Sequence, residues 1–207
     1  MAAKSNLTNM VLVLGLTCLF ASALLGGAYA LTKEPIQAAA VAKTQQAIAQ
    51  VLPHFTDLSY DAEGKFYTAT DGDAVVGYAF ETMAVGFGGP LEMIVGVTPD
   101  GVIYNTAVLS HAETPGLGAK CTSDAKFMDQ WRGFNPSVKK LSVTKDGGDV
   151  DAITASTITS RAYTQAVAVA LEVFAQVQSG EGLQEPDFVP GGEIEVTNET
   201  DGGQDNE

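Results

Sequence analysis

Five hydroxyl side chains are crowded into the ten residues from Asp151 to Ser160, directly before the most helical stretch of the chain. They belong to Thr154, Ser156, Thr157, Thr159 and Ser160. Such side chains commonly cap a helix, because they accept hydrogen bonds from the free amide groups of its first turn. The same amides and the positive end of the helix dipole attract phosphate, to which a threonine hydroxyl could be esterified. Composition alone leaves both interpretations open.

A second segment with chemical character lies earlier in the chain, where residues 113–118 read ETPGLG. Pro115, Gly116 and Gly118 predict a tight loop, because proline fixes φ and glycine adopts backbone conformations closed to other residues. Backbone amides in such a loop can approach a planar ring system closely. For the PGLG residues taken by themselves, a plain turn is the simpler interpretation.

The segment that begins at Asp151 resembles the attachment motif of the FMN-binding domain family. In that motif an aspartate precedes a threonine or serine that carries FMN. Asp151, Thr154 and Thr157 match the motif, and Thr157 stands in the acceptor position. Ala155 stands where the family usually has glycine, and Ser156 where it usually has alanine. Both residues are small, so the backbone can still approach a phosphate closely.

The ETPGLG segment resembles one that two membrane complexes share. They are the Rnf electron-transport complex, through its G subunit, and the sodium-pumping NADH:quinone reductase, through its C subunit. Residues Phe127–Trp131 fit the same pattern, and the resemblance as a whole covers roughly residues 5–180. The length of the chain favours the Rnf protein, because the quinone-reductase protein is usually longer.

The resemblance implies FMN held covalently by a phosphoester to Thr157, attached by a separate flavin transferase that uses FAD and a divalent metal. Residues expected to form the phosphate end, or to be read by the transferase, are Asp151, Thr154, Ser156 and Thr159. Residues expected to border the flavin ring are Glu113, Thr114, Leu117, Gly118 and Lys120. Lys120 either stabilises negative charge on reduced flavin or is a solvated surface lysine. No catalytic residue and no metal ligand is expected.

The function implied is electron transfer, in which the protein contributes position and redox tuning and the flavin supplies the chemistry. The resemblance predicts an electron-carrier subunit of an Rnf-type ferredoxin:NAD oxidoreductase that translocates Na⁺ or H⁺. Expected partners are the other membrane subunits, the flavin transferase and membrane lipid. The alternatives are the quinone-reductase protein or a stand-alone flavin donor, and, in another class, a non-redox anchored scaffold domain.

The elements that must position these residues begin with an uncharged apolar run, Met10 to Leu31. A helix of about 20 such residues crosses a bilayer. We therefore expect a transmembrane helix over residues 10–31 behind a short cytoplasmic segment, residues 1–9. Ala28-Tyr29-Ala30 resembles a cleavage site, but the run is longer than a signal-peptide core of ~7–15 residues. Lysines on both sides leave the orientation open. The family implies the bacterial inner (cytoplasmic) membrane and an extracytoplasmic, periplasmic domain.

A helical stalk is expected over residues 32–55, with Thr32 as its cap and Pro35 in its first turn. Residues 56–180 predict an α+β fold, a twisted and mostly antiparallel sheet covered by helices. The other predicted elements are strands after Lys65, a hairpin around Thr98–Gly101, a short helix over 124–131, a strand over Val138–Thr144 and a long helix over 158–177.

Charge and cysteine content exclude several classes of function. The chain has 25 acidic and 11 basic residues, a net charge of −14, and nucleic-acid phosphates repel such a chain. Part of the charge lies in an acidic tail, residues 181–207, which we expect to be disordered because it has little apolar surface to bury. The two cysteines, Cys18 and Cys121, form no CxxC motif, so neither a zinc site nor a disulfide framework is indicated.

Overall fold

Helix α1 (Leu7–Val51) begins the structure, a computed structural model that describes residues 7–62 and 64–180. The predicted tail, residues 181–207, lies outside the described residues, as do residues 1–6 of the predicted cytoplasmic segment. Within the described part of the chain, α1 is the one helix long and apolar enough to cross a membrane, with a mean hydropathy of 2.2 over its most apolar window.

The predicted span and stalk form one continuous helix. The sequence predicted that Thr32 caps a new helix, and this is wrong. Thr32 lies inside α1, where its hydroxyl donates to the carbonyl of Ala28 at 2.9 Å. Pro35 also lies inside α1. The helix ends at Val51, near Pro53, because a residue before proline is disfavoured in helical conformation. The assignment of residues 10–31 to the membrane and 32–55 to a stalk stays a prediction.

Among the described residues, five strands follow α1: β1 (Asp57–Asp61), β2 (Phe66–Asp71), β3 (Ala74–Val85), β4 (Pro90–Val97) and β5 (Ile103–His111). Each strand pairs antiparallel with the next one along the chain. The predicted hairpin joins β4 to β5, and its Gly101 has a φ of 78°. Helices α2 (Ala125–Asp129) and α3 (Thr157–Ser179) come after the sheet. The predicted α+β fold is confirmed.

Helix α3 covers one face of the sheet. Successive side chains of a strand point to opposite faces, so Met93 and Val95 of β4 join the core cluster under α3 and Ile94 joins a second cluster on the other face. Buried alanines on α3 bring its backbone close to the sheet; they are Ala162, Ala166 and Ala170. The core under α3 also holds the single tryptophan, Trp131, whose ring stacks on Tyr163 with centroids 5.2 Å apart.

The last turn of α1 covers the other face of the sheet. Its buried residues Ala47, Ile48 and Val51 pack with Ala69, Ala79 and Ile94. At Gly96 of β4 a Cβ would overlap the carbonyl oxygen of Val51, so only glycine fits under this turn. The chain divides into two compact units between Gln46 and Ala47. The last turn of α1 therefore belongs to the same unit as the sheet.

One predicted strand is absent from the structure, and one observed strand was not predicted. Val138–Thr144 is not a strand: its described pairing is a single bridge from Val143 to Val150. The backbone there is satisfied locally, for example by Ser142 N–H donating to the Lys140 carbonyl at 2.9 Å. Strand β1, in contrast, was not predicted: its residues alternate between polar and apolar, but the strand has only five residues and all of them are exposed.

Candidate functional site

Thr157 is the first residue of α3, and its side chain is half-buried at the N-terminus of that helix. Ser156 precedes it in the N-cap position, but its side chain makes no capping hydrogen bond. The first-turn N–H groups of a helix have no partners within the helix. Because Ser156 does not satisfy them, the simple capping interpretation does not describe this end of α3.

Ala155 has a φ of 63°, in the left-handed region. This is the position at which the family usually has glycine, and the backbone explains why, since glycine adopts positive φ without steric cost. For an L-residue with a Cβ this conformation costs roughly 1–2 kcal/mol. The alanine therefore keeps the loop geometry but introduces local strain.

Replacing Ala155 with glycine is expected to stabilise the protein by about 0.5–1 kcal/mol, since relief of left-handed strain exceeds the added entropy of the unfolded chain. Chemical denaturation followed by the fluorescence of buried Trp131 would measure the change. Ala175→Gly, at an exposed position in the interior of α3, is the matched control and is expected to destabilise by roughly 0.5–1 kcal/mol, because its φ is not positive. Equal destabilisation by both variants would contradict the strain argument.

Ser160 holds the loop that leads into α3. Its buried hydroxyl accepts a hydrogen bond from Ile153 N–H at 2.9 Å and donates one to the Ser156 carbonyl at 2.9 Å. Ser156 N–H in turn donates to the Ile153 carbonyl at 3.0 Å. This hydroxyl has a structural role, because it fixes the backbone on which Thr154 and Thr157 stand.

Gln130 fixes the other end of the segment. Its side-chain oxygen accepts from Asp151 N–H at 2.8 Å, and its amide nitrogen donates to the Asp151 carbonyl at 3.0 Å. The Asp151 carboxylate points outward, where it pairs with Lys126 at 3.0 Å. Sequence reasoning missed the role of Gln130, although the residue lies in the Phe127–Trp131 segment that carried the family resemblance.

A cleft of about 360 Å³ opens beside this segment, lined in part by Lys126, Lys145, Asp151 and Thr154. Lys145 also donates a hydrogen bond from its Nζ to Thr157 Oγ1 at 2.8 Å. The predicted acceptor hydroxyl is therefore joined to the rim of the cleft through a lysine ammonium group. Lys145 was not among the predicted site residues.

An ion pair ties the 3₁₀ turn Thr144–Asp146 to α3 next to this contact. Arg161 lies one helical turn after Thr157 and donates two hydrogen bonds to the Asp146 carboxylate, at 2.7 and 2.6 Å. These bonds from Arg161 are the main reason that the pKa of Asp146 is lowered from its ordinary value. A planar guanidinium suits such a two-point contact with a carboxylate.

The ETPGLG segment meets α3 at a buried carboxylate. Glu113 Oε2 accepts a hydrogen bond from Thr159 Oγ1 at 2.8 Å, and Oε1 accepts one from Gly88 N–H at 3.3 Å. A Cβ at Gly118 would overlap Glu113 Oε2. Glu113 and Thr159 are 5% and 1% exposed. The structure thus brings together three predicted site residues, but two of the side chains face each other inside the protein.

The other predicted ring residues lie on the surface of the same loop. Thr114 and Leu117 are exposed and Lys120 is exposed in the turn that follows, and the loop is closed by Leu117 N–H donating to the Thr114 carbonyl at 3.2 Å. Gly116 has a φ of 77°, so the predicted tight loop is confirmed. The roles of these residues at a flavin ring stay predictions.

Replacing Glu113 with alanine is expected to destabilise the protein by about 1–3 kcal/mol, because the buried Thr159 hydroxyl loses its acceptor and an unmade buried hydrogen bond costs about that much. Gly88 is exposed, so its N–H can bond water instead. Thermal unfolding followed by Trp131 fluorescence would measure the loss. The stability of Glu113→Gln should lie between those of the wild type and Glu113→Ala, since one amide oxygen replaces the two carboxylate acceptors. Glu92→Ala, at an exposed position of β4, is the control and should change stability by less than about 0.5 kcal/mol. Equal stability of Glu113→Ala and the Glu92 control would refute a structural role for the buried carboxylate.

Known proteins resemble this chain over the same segments. A family model described as "FMN-binding domain" matches residues 86–172, which include the ETPGLG loop, Asp151 and Thr157. The G subunit of a "Proton-translocating ferredoxin:NAD(+) oxidoreductase complex" from Clostridium ljungdahlii is 34% identical over 77% of this chain and 86% of its own length. The G subunit of an "Ion-translocating oxidoreductase complex" from Cereibacter sphaeroides is 35% identical over 83% of this chain and 85% of its own length.

A solved structure is similar at a lower level. It is the C subunit of the Na⁺-translocating NADH-quinone reductase from Parabacteroides distasonis, which is 24% identical, covers 58% of this chain and 63% of its own, and has a TM-score of 0.43. The two relatives from ion-translocating complexes match most of both chains at more than 30% identity. The chain therefore belongs to the FMN-binding domain family and, within it, to the G subunits of the ion-translocating oxidoreductase (Rnf) complexes.

Proposed function

We propose that this chain is an electron-transfer subunit that carries FMN through a phosphoester to Thr157. The main support is the position of that hydroxyl, which begins α3, is partly accessible and contacts the ammonium group of Lys145. The spacing of Asp151, Thr154 and Thr157 supports the same assignment, because it matches the attachment motif of the family. Asp151 and Thr154 stand beside the cleft, where the transferase can read them.

The residues around Thr157 suit a phosphodiester, which carries one negative charge. Lys145 supplies a positive charge, and the first-turn amides of α3 with the helix dipole supply more. Two of the nearby carboxylates are each matched by a cation, Asp151 by Lys126 and Asp146 by Arg161. Repulsion of a phosphate by these acids is therefore reduced.

Attachment is a phosphoryl-group transfer in which a flavin transferase uses FAD. Thr157 Oγ forms a bond to the phosphorus of the FMN half of FAD, and the phosphoanhydride bond breaks. AMP leaves, and the hydroxyl proton passes to solvent or to a base of the transferase. When bound, the flavin supplies one- and two-electron transfer. The chain holds the group against dissociation on a helix that is packed on the sheet.

The chain is an anchored member of a multi-subunit redox complex, and its finer role is proposed by analogy. The relatives are named as parts of proton-translocating ferredoxin:NAD(+) and ion-translocating oxidoreductases. We place the sheet domain outside the bacterial cytoplasmic membrane, where it relays electrons between other membrane subunits and needs no substrate site of its own. The extent of the match to the Rnf relatives favours this assignment over the quinone-reductase protein.

Mass spectrometry of the full-length chain, produced together with its flavin transferase, tests the proposal. The intact mass is expected to rise by one FMN minus one water, and the denatured band should fluoresce under ultraviolet light. Peptide mapping should place the added mass on the peptide that contains Thr157. Unmodified protein from cells in which the transferase is active would instead favour the non-redox scaffold.

A further inference from the structure

Lys145 approaches the acceptor from a rigid turn. Thr144 N–H donates to the Val150 carbonyl at 2.8 Å, and Val143 forms a parallel bridge with Val150. The turn ends at Gly147, which has a φ of 74°. Its backbone therefore sets the position from which the Lys145 side chain reaches Thr157.

An ion pair next to Lys145 engages the adjacent carboxylate, that of Asp146. Asp146 is engaged by Arg161 through two short hydrogen bonds. Within residues 7–62 and 64–180, the ion pairs of the structure join Lys126, Arg132 and Arg161 to carboxylates, and Lys145 is in none of them. The Nζ of Lys145 instead donates to Thr157 Oγ1.

The direction of this hydrogen bond matters for the chemistry of the hydroxyl. A lysine ammonium group can only donate, so Thr157 Oγ must be the acceptor. The proton of the threonine hydroxyl then points elsewhere and is available to a base. A positive charge at hydrogen-bond distance also stabilises the negative charge that develops on this oxygen as the proton leaves.

We infer that Lys145 is a positioning residue for flavin attachment, which orients the Thr157 hydroxyl, stabilises its oxygen as it attacks phosphorus and then neighbours the phosphodiester anion. The Asp146–Arg161 pair holds the turn that carries it. This inference rests on the proposed function. In the step itself the Oγ–P bond forms, the phosphoanhydride bond of FAD breaks, AMP leaves and the hydroxyl proton goes to the base of the transferase or to water.

The rate of attachment to the full-length chain in detergent, with purified flavin transferase, FAD and Mg²⁺, tests the inference. Lys145→Met is expected to lower the turnover rate at saturating FAD about 10²-fold, the scale of losing one donor to a developing oxyanion. The KM for FAD should be unchanged, because the transferase binds FAD. Lys145→Arg should restore most of the rate, since a guanidinium also donates and stays charged.

Lys140→Met is the matched control, because it removes an exposed lysine from the segment that leads to the same turn. It should be modified at the wild-type rate. If the wild type and Lys145→Met take up flavin equally fast, the inference is wrong and the proposed function still stands. The inference would also be wrong if Lys140→Met slowed attachment as much as Lys145→Met, because general surface charge would then be the cause. It would likewise be wrong if Lys145→Arg did not recover the rate, because the shape of lysine and not its charge would then be the cause. Wild-type protein that stays unmodified would refute the proposed function itself.

Discussion

Replacing Thr157 with alanine is expected to remove covalent flavin completely. Alanine has no oxygen to bond to phosphorus, and the hydroxyl of Thr154 cannot substitute for it, because Thr154 lies in the exposed loop before α3 and outside the Lys145 contact. The fold should be retained, since Thr157 is half-buried and its described side-chain bond is to an exposed lysine. Intact mass and in-gel flavin fluorescence would show the loss.

Two variants make this result specific to one oxygen. Thr157→Ser keeps the hydroxyl at the same helix position, so it should still accept FMN, at a reduced rate because the β-methyl group no longer restricts χ1. Thr154→Ala tests recognition, and should slow attachment without moving it to another residue. Full flavin content in Thr157→Ala, with the mass mapped to a different peptide, would show that the acceptor is misassigned.

Replacing Gly96 with alanine is expected to destabilise the domain by about 3 kcal/mol or more. The new Cβ would overlap the backbone carbonyl of Val51, which cannot rotate away as a side chain could. Overpacking a core usually costs about 1–3 kcal/mol, and backbone against backbone lies at or above the top of that range. Domains of this kind are stable by only about 5–15 kcal/mol. Denaturant unfolding followed by Trp131 fluorescence would therefore show a clear shift.

Gly77→Ala is the matched comparison, on the adjacent strand β3 under Leu52 and Pro53, the residues that follow α1. Its Cβ would meet Leu52 Cδ2 at 3.0 Å and the Val97 carbonyl oxygen at 3.2 Å, and the end of a leucine side chain can move. We expect a loss of roughly 1 kcal/mol, at the lower end of the overpacking range. If Gly96→Ala were no worse than Gly77→Ala, the last turn of α1 would not be packed against β4 as described.

Local sequence patterns predicted the elements whose signals are contained within a few residues. The hairpin at Thr98–Gly101 and the loop at Pro115–Gly118 follow from proline and glycine chemistry, and both are confirmed. The strand predicted at Val138–Thr144 was wrong because its β-branched residues are used in turns rather than in a ladder. Strand β1 was missed because its alternation is short: only Leu58 and Tyr60 are apolar, and both are exposed at the edge of the sheet.

The contacts around Thr157 show why the rest of the site could not be predicted. Lys145 and Gln130 reach the segment from other parts of the fold. Nothing in the neighbourhood of Lys145 marks it as different from other lysines, and the resemblance at Phe127–Trp131 did not show that the Gln130 side chain bonds the Asp151 backbone. The family pattern likewise placed Glu113 beside a flavin ring without showing that its carboxylate is buried against Thr159. One local signal was available: an alanine at a usual glycine position pointed to the positive φ of Ala155.

The order of the strands has a consequence for the timing of maturation. Each strand pairs with its predecessor in the chain, so the sheet can form one strand at a time during synthesis. Each pairing closes only a short loop and therefore costs little conformational entropy. Helix α3 is the last of the described elements and closes the core, and it carries the hydroxyl that we propose as the acceptor of the cofactor. A flavin transferase that requires this folded surface would modify only molecules that have completed folding. The covalent flavin content of a preparation would then report the fraction of folded protein.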